Sequence, residues 1–195
     1  METGKLIIIS APSGTGKSTI IGQVMQDANL RLSFSISATT RQPREGEQDG
    51  VHYYFMSVEQ FQKEIADDAF AEYEQVYEGR YYGTLKREIE RINAQGDNVI
   101  LDVDVKGGIN VKKLYGNRAM SIFIAPPNIE TLRERLIGRG TDSMEEINKR
   151  ISKAEYELSF APSFDYYIVN DDLTVAVNSV HQLIADFVGV NEIQQ

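Results

Sequence analysis

The segment Ala11-Pro12-Ser13-Gly14-Thr15-Gly16-Lys17-Ser18-Thr19 carries the residue types that hold a polyphosphate. Gly14 and Gly16 let the backbone curl with no Cβ in the way, so successive N–H groups can point inward at phosphate oxygens. Lys17 adds a mobile positive charge for the outer phosphates, and Ser18 offers a hydroxyl to Mg²⁺. The pattern G-x-x-x-x-G-K-[ST] is met except at its first glycine, where Ala11 stands; alanine is tolerated there if φ is negative. A plain Gly/Ser-rich turn between a strand and a helix is the alternative. The flanks argue against it: Leu6-Ile7-Ile8-Ile9 leads in as a buried strand, and Thr19 to Gln26 leaves as a helix whose N-terminus faces the phosphates. A nucleoside triphosphate site is expected, which leaves open what receives the phosphoryl group.

Three other stretches have chemistry in them. Asn98-Val99-Ile100-Leu101-Asp102-Val103-Asp104 is an apolar strand ending in acids, the usual source of a carboxylate on the Mg²⁺ side of such a loop. At least one of Asp102 and Asp104 is expected to serve there, Asp104 with Ser18 at the metal; a strand simply leaving the core at an acidic end is the alternative. Arg41 and Arg44 sit three apart beside Thr39 and Thr40, which suits a phosphate but also suits a solvated loop. Arg133, Arg135 and Arg139, then Lys149 and Arg150, concentrate positive charge late in the chain, although ordinary surface also collects such residues.

These groups need a frame to bring them together. The 195 residues suffice for one core, and the apolar and charged fractions of 42% and 25% are those of a globular protein. The lack of cysteine excludes disulfides, thiolate zinc sites and cysteine nucleophiles, and two histidines, His52 and His181, disfavour a histidine-built metal centre. The net charge of −9 disfavours a nucleic-acid polymer, and a few local Arg and Lys suffice for a mononucleotide. No run reaches transmembrane length and the N-terminus lacks a leader pattern, so a cytoplasmic protein off the membrane is expected.

Strands are predicted near Leu6, Leu32, Val99, Ser121 and Tyr167, alternating with helices, which specifies an α/β fold with a five-stranded parallel sheet flanked by helices. Leu32, Phe34, Ile36 and Ala38 alternate with serines and read as one strand with a polar face. Ser57 with Gln60, and Ser143 with Glu146, form capping boxes; Thr84 reads as the cap of a helix carrying Leu85, Ile89 and Ile92. Phe70 to Tyr77 reads as a strand with Glu72 and Glu74 on one face, solvent exposure being the simplest fate for that face. Gly107-Gly108 favours a loop, and Gly138-Arg139-Gly140 breaks a helix. One domain is expected, with a core of 1–36, 95–137 and 151–195, an inserted lobe at about 37–94 and a small flexible lid at about 138–150. Ligands bind such sheets at the carboxyl ends of the strands, which puts Lys17, Ser37, Asp102 and Asn170 along one edge.

Several of these segments together closely resemble guanylate kinase, a P-loop nucleoside monophosphate kinase family: the loop itself, Ser37-Ala38-Thr39-Thr40-Arg41-Gln42-Pro43-Arg44-Glu45-Gly46-Glu47, Tyr81-Tyr82-Gly83-Thr84, Leu101 to Asp104, Gly138-Arg139-Gly140 and Val169-Asn170-Asp171-Asp172. The resemblance runs in order along essentially the whole chain. It implies transfer of the γ-phosphoryl of ATP to GMP, giving ADP and GDP, with Mg²⁺, in purine nucleotide metabolism. It places Arg41, Arg44, Tyr53 and Tyr82 on the GMP phosphate, and Ser37, Glu72, Thr84 and Asp102 around guanine. It assigns Ala11 to Thr19 to ATP, with Lys17 and Ser18 serving ATP and Mg²⁺, brings Arg135, Arg139 and Arg150 to ATP from the flap, and sets Asn170 beside adenine. Lys17, Arg41, Arg139 and Arg150 become the candidate catalytic residues. Lys106 stands where many members have Gln, and one extra residue separates Val76 from Tyr82.

Phosphoryl transfer needs positioning and charge neutralisation, and GMP is already a nucleophile, so the lack of Ser/His and Cys/His pairs fits. No obligate protein partner is expected. Two other readings remain: a related domain that only binds, whose nucleotide site would be damaged, and a kinase for a phosphorylated sugar, which would have no use for a guanine cluster.

Overall fold

The computed structural model describes residues 4–190. In chain order the elements are β1 (Leu6–Ser10), α1 (Lys17–Val24), β2 (Leu32–Phe34), β3 (Ala38–Thr39), β4 (Tyr54–Phe55), α2 (Val58–Ala66), β5 (Phe70–Tyr77), β6 (Arg80–Leu85), α3 (Lys86–Ala94), β7 (Asn98–Asp102), α4 (Val105–Tyr115), β8 (Ala119–Ala125), α5 (Ile129–Gly138), α6 (Met144–Leu158), β9 (Tyr166–Val169) and α7 (Leu173–Val188).

Five strands form one parallel sheet in the order β2-β7-β1-β8-β9, the five expected from the sequence. Successive residues of β1 serve opposite faces, as the strand period requires. Ile7 and Ile9 pack with Ile20 and Val24 of α1 and Val180 and Ile184 of α7. Leu6 and Ile8 pack with Ile89 and Ile92 of α3 and Val111 of α4. Both faces of β1 are covered, which is why its sequence is a continuous apolar run.

A second sheet, in the order β4-β3-β6-β5, closes over Phe61 of α2. The Phe61 ring stacks on Phe70 at 4.3 Å and on Tyr81 at 5.1 Å. The expected strand from Leu32 to Ala38 is shared between the two sheets. Ser35 N–H still bonds Ile100 O of the core sheet at 2.9 Å, and two residues on Ser37 O accepts from Tyr54 N–H at 2.9 Å in the second. One alternating stretch thus crosses from sheet to sheet, which periodicity alone does not reveal.

Three further expectations are corrected by packing. Thr84 is not a helix cap: it lies in β6, and α3 starts after Leu85 with no side-chain cap. Gly107 and Gly108 are not in a loop but inside α4, whose N-cap is Asp104. A Cβ on Gly108 would lie 3.0 Å from Ser10 Oγ, so the glycine pair lets α4 press against the sheet at the price of helix propensity. The lobe boundary near 94 is too late, because α3 packs into the core through Ile89 and Ile92 and the second sheet ends at Leu85. Both capping boxes form, at Ser57/Gln60 and Ser143/Glu146. Helices α5 and α6 pack together through Leu132, Leu136, Ile147, Ile151 and Ala154, and the turn between them carries Gly140 at φ 65°.

Candidate functional site

The glycine-rich loop joins β1 to α1 at the carboxyl edge of the core sheet. Gly14 and Gly16 both hold φ at 94°, where a side chain is strained, while the positive-φ non-glycines among the described residues are Arg31 and Asp68. Ala11 therefore keeps negative φ, the condition under which alanine serves for the missing glycine. Asn170, buried at the end of β9, donates its amide Nδ2–H to Thr15 O at 2.6 Å. A Cβ on Gly16 would fall 2.6 Å from that same nitrogen. Arg135 in turn donates to Asn170 O at 2.9 Å. Asn170 and Arg135 thus brace the loop from behind, and both line a recess of about 180 Å³ beside Gly14, Gly16 and Thr19.

On the other side of the loop opens a cleft of about 380 Å³, lined by residues that include Lys17, Ser18, Asp102, Asp104 and Arg139. Arg150 of α6 donates to Ser13 Oγ at 2.6 Å and pairs with Asp142 at 3.2 Å, tying the α5–α6 turn to the loop. Lys17 Nζ contacts Asp102 Oδ1. Asp104 Oδ1 accepts the Gly107 N–H at 2.6 Å as the cap of α4. Among the described residues no group of three or more His, Asp and Glu is arranged to hold a metal ion. Ser18 and Asp104, the residues expected at a metal, both line this cleft and present a hydroxyl and a carboxylate, the oxygen donors that Mg²⁺ takes.

A second cleft of about 220 Å³ meets the first at Asp102 and Asp104, and Ser37, Tyr53, Glu72 and Tyr82 are among its walls. Glu72 and Thr84 face each other across β5 and β6, and the Thr84 hydroxyl donates to Glu72 Oε1 at 2.7 Å. A Cβ on Gly107 would sit 2.7 Å from Glu72 Oε2, so the glycine in α4 makes room for the carboxylate. The β5–β6 pairing shifts register between Gln75 and Tyr77, ahead of the hairpin turn and past Glu72. Glu72 consequently keeps its place opposite Thr84.

Burial pushes the Glu72 carboxyl up to about 7, with a further push from the Asp104 charge and an opposing pull from the Thr84 hydroxyl. Glu74, also raised, is driven by burial first and then by Asp104. A carboxyl raised on folding contributes fully when both states are protonated, and its penalty grows as pH rises from 4.5 to about 7. Above that the penalty is constant, about 3 kcal/mol at 1.36 kcal/mol for each tenfold change in affinity for the proton. Glu72→Gln is therefore expected to stabilise the ligand-free fold by about 1–3 kcal/mol at pH 8, the gain shrinking towards pH 5. Urea denaturation at the two pH values measures this; a Gln variant less stable than the parent at pH 8 contradicts it.

Arg41 is clamped by a carboxylate of its own loop. Its guanidinium forms two 2.8 Å bonds with the Glu47 carboxylate and lies over the Tyr53 ring at 5.3 Å. Glu47 also accepts the Arg44 backbone N–H at 2.7 Å, and these contacts, Arg41 first, hold its carboxyl down to about 2. Tyr53 and Tyr82 meet edge-on at 6.1 Å. The fold so gathers Arg41, Tyr53 and Tyr82, while the Arg44 side chain stays exposed and enters only through its backbone.

Glu47, Glu88 and Glu157 also stand at the site or its supports, and residue type and spacing assign them no role. Glu88, although buried, is held below its ordinary value because Arg91, Tyr54 and the Ile36 N–H outweigh the cost of burial. It fastens the start of the second sheet to α3. Glu157 lines the first cleft from α6. Helical spacing marks Glu88 and Arg91 as an i, i+3 pair, whereas no spacing rule across a loop points to Glu47.

A family model described as guanylate kinase matches residues 3–187. A guanylate kinase of Bacteroides fragilis is 56% identical over 187 residues, covering 96% of this chain and 91% of that one. One from Porphyromonas gingivalis is 56% identical over 184 residues, covering 94% and 98%. Among solved structures, the guanylate kinase from Anaplasma phagocytophilum aligns at a TM-score of 0.73 with 26% identity, over 98% of this chain and 89% of that one.

Proposed function

The chain belongs to the guanylate kinase family, whose members transfer a phosphoryl group from ATP to GMP, and from that premise we propose how its own residues divide the work. ATP lies on the glycine-rich loop with its phosphates on the N-terminus of α1 and Lys17, and its base in the recess beside Asn170 and Arg135. GMP occupies the second cleft, its phosphate on Arg41, Arg44, Tyr53 and Tyr82 and its guanine among Ser37, Glu72, Thr84 and Asp102. The observation that carries this division is the meeting of the two clefts at Asp102 and Asp104, beside Lys17.

GMP attacks through a phosphate oxygen that needs no general base, so the chain's contribution is alignment and charge. Lys17, Arg41, Arg139 and Arg150 supply positive charge where negative charge builds on the transferring group. Ser18 and Asp104 would hold Mg²⁺, which would supply further positive charge to the triphosphate. The Arg41–Glu47 clamp sets the guanidinium in advance and limits the entropy lost on binding. No helix among the described residues is long and apolar enough to cross a membrane. We place the activity in the cytoplasm, with ATP and GMP as its small-molecule substrates.

A coupled assay of ADP release with GMP, AMP, UMP and a sugar phosphate as acceptors tests the reading. GMP is expected to be strongly preferred, and a sugar phosphate turned over as well as GMP would overturn it. The second sheet and the α5–α6 turn are proposed to close as lobe and lid, excluding water. Small-angle scattering should show a smaller radius of gyration with a two-nucleotide analogue; an unchanged value at saturation argues against closure.

A further inference from the structure

Asp102 ends β7 and belongs to both clefts at once, and its Oδ1 is in contact with Lys17 Nζ. On the reading above, each of these two groups is wanted elsewhere: Lys17 by the phosphates of ATP, Asp102 by the guanine of GMP. We propose that the Lys17–Asp102 pair is an exchange contact that couples the two substrate sites, so that either nucleotide, by breaking it, tightens the binding of the other.

The two sites share one cost. Both side chains are largely screened from water, at 20% and 28% exposure, so separating them without a substitute partner is unfavourable. ATP arriving first draws Lys17 to its phosphates and leaves Asp102 a partly buried carboxylate with its cation withdrawn. Guanine N–H donors then find an acceptor with no competitor. GMP arriving first engages Asp102 and leaves Lys17 free for phosphate. The cost of parting the pair falls on whichever nucleotide binds first and is absent for the second. Linkage makes the effect reciprocal: ATP must raise GMP affinity by the same factor by which GMP raises ATP affinity. The loop follows β1, the neighbour of β7 in the sheet, with Ile9 paired to Asp102, so no large motion is needed for the exchange.

This inference rests on the division of sites proposed above, and calorimetry with GMP and a non-hydrolysable ATP analogue separates the two. In the parent chain each nucleotide is expected to tighten the other about fivefold, the low end for coupled sites. Asp102→Asn, which keeps the shape but cannot hold the ion pair, should bring that factor close to one and tighten the analogue's binding on its own. Lys17→Met breaks the pair from the other end: guanosine, which carries no charge, should bind it about fivefold tighter than the parent when no ATP is present. A parent without coupling, an Asp102→Asn chain with the parent's factor, or guanosine binding no tighter to Lys17→Met overturns the exchange. A parent that binds the analogue but not GMP overturns the site reading itself.

Discussion

Glu72→Gln is expected to cut kcat/KM for GMP by about 10²-fold while leaving ATP affinity nearly unchanged. Guanine presents its ring N1–H and exocyclic amine side by side, and a carboxylate accepts both. Glutamine retains the shape and the bond from Thr84 Oγ1, but turns one acceptor into a donor facing a donor. Adenine lacks the N1–H and puts a lone pair there, so the parent should prefer GMP over AMP by about 10⁴-fold, as sites built to satisfy a buried polar group do. The raised carboxyl of Glu72 adds a pH signature. Below about 7 it takes up a proton and loses its double acceptor, so kcat/KM for GMP should fall about tenfold per pH unit. The Gln variant shares every other titration, including that of the GMP phosphate, and should lack this component. Comparable kcat/KM for AMP and GMP in the parent would sink the assignment.

Lys17→Ala should retain the fold and lose about 10²–10³ in kcat, the usual cost of removing one preorganised charge from a developing transition state. Lys17 opens α1 directly after Gly16, with its ammonium in the cleft beside Asp102. Lys17 lies outside the apolar clusters of the core, so circular dichroism should match the parent, and the unpaired Asp102 should cost about 1 kcal/mol in thermal unfolding. A folded Lys17→Ala chain with near-normal turnover removes Lys17 from the catalytic set.

The core was legible in the sequence because its signals are local and redundant. Four apolar residues, a glycine-rich turn and an amphipathic run specify β1, the loop and α1 with no reference to the rest of the chain. Capping boxes at Ser57 and Ser143 are equally local. What escaped depends on long-range packing. Thr84 has the chemistry of a helix cap, but its hydroxyl is taken by Glu72 from a strand twelve residues away. Gly107 and Gly108 look like a loop to any rule based on propensity, and only the approach of Glu72 and Ser10 explains them inside a helix. The raised carboxyl of Glu72 and the Arg41–Glu47 clamp arise from burial and loop closure, which no spacing encodes. Glu72 itself had solvent exposure as its simplest fate in the sequence; the pairing of β5 with β6 and the proximity of α4 turn it inward.

The central claim is that guanine is read by Glu72, on the wall of the second cleft, with Thr84 bonded to it. A crystal structure of the chain with GMP bound tests it most directly. The account predicts guanine N1 and N2 within about 3 Å of the Glu72 carboxylate oxygens, with the phosphate on the Arg41 guanidinium. A GMP whose guanine edge contacts neither Glu72 nor Thr84, or whose phosphate lies away from Arg41, would contradict it.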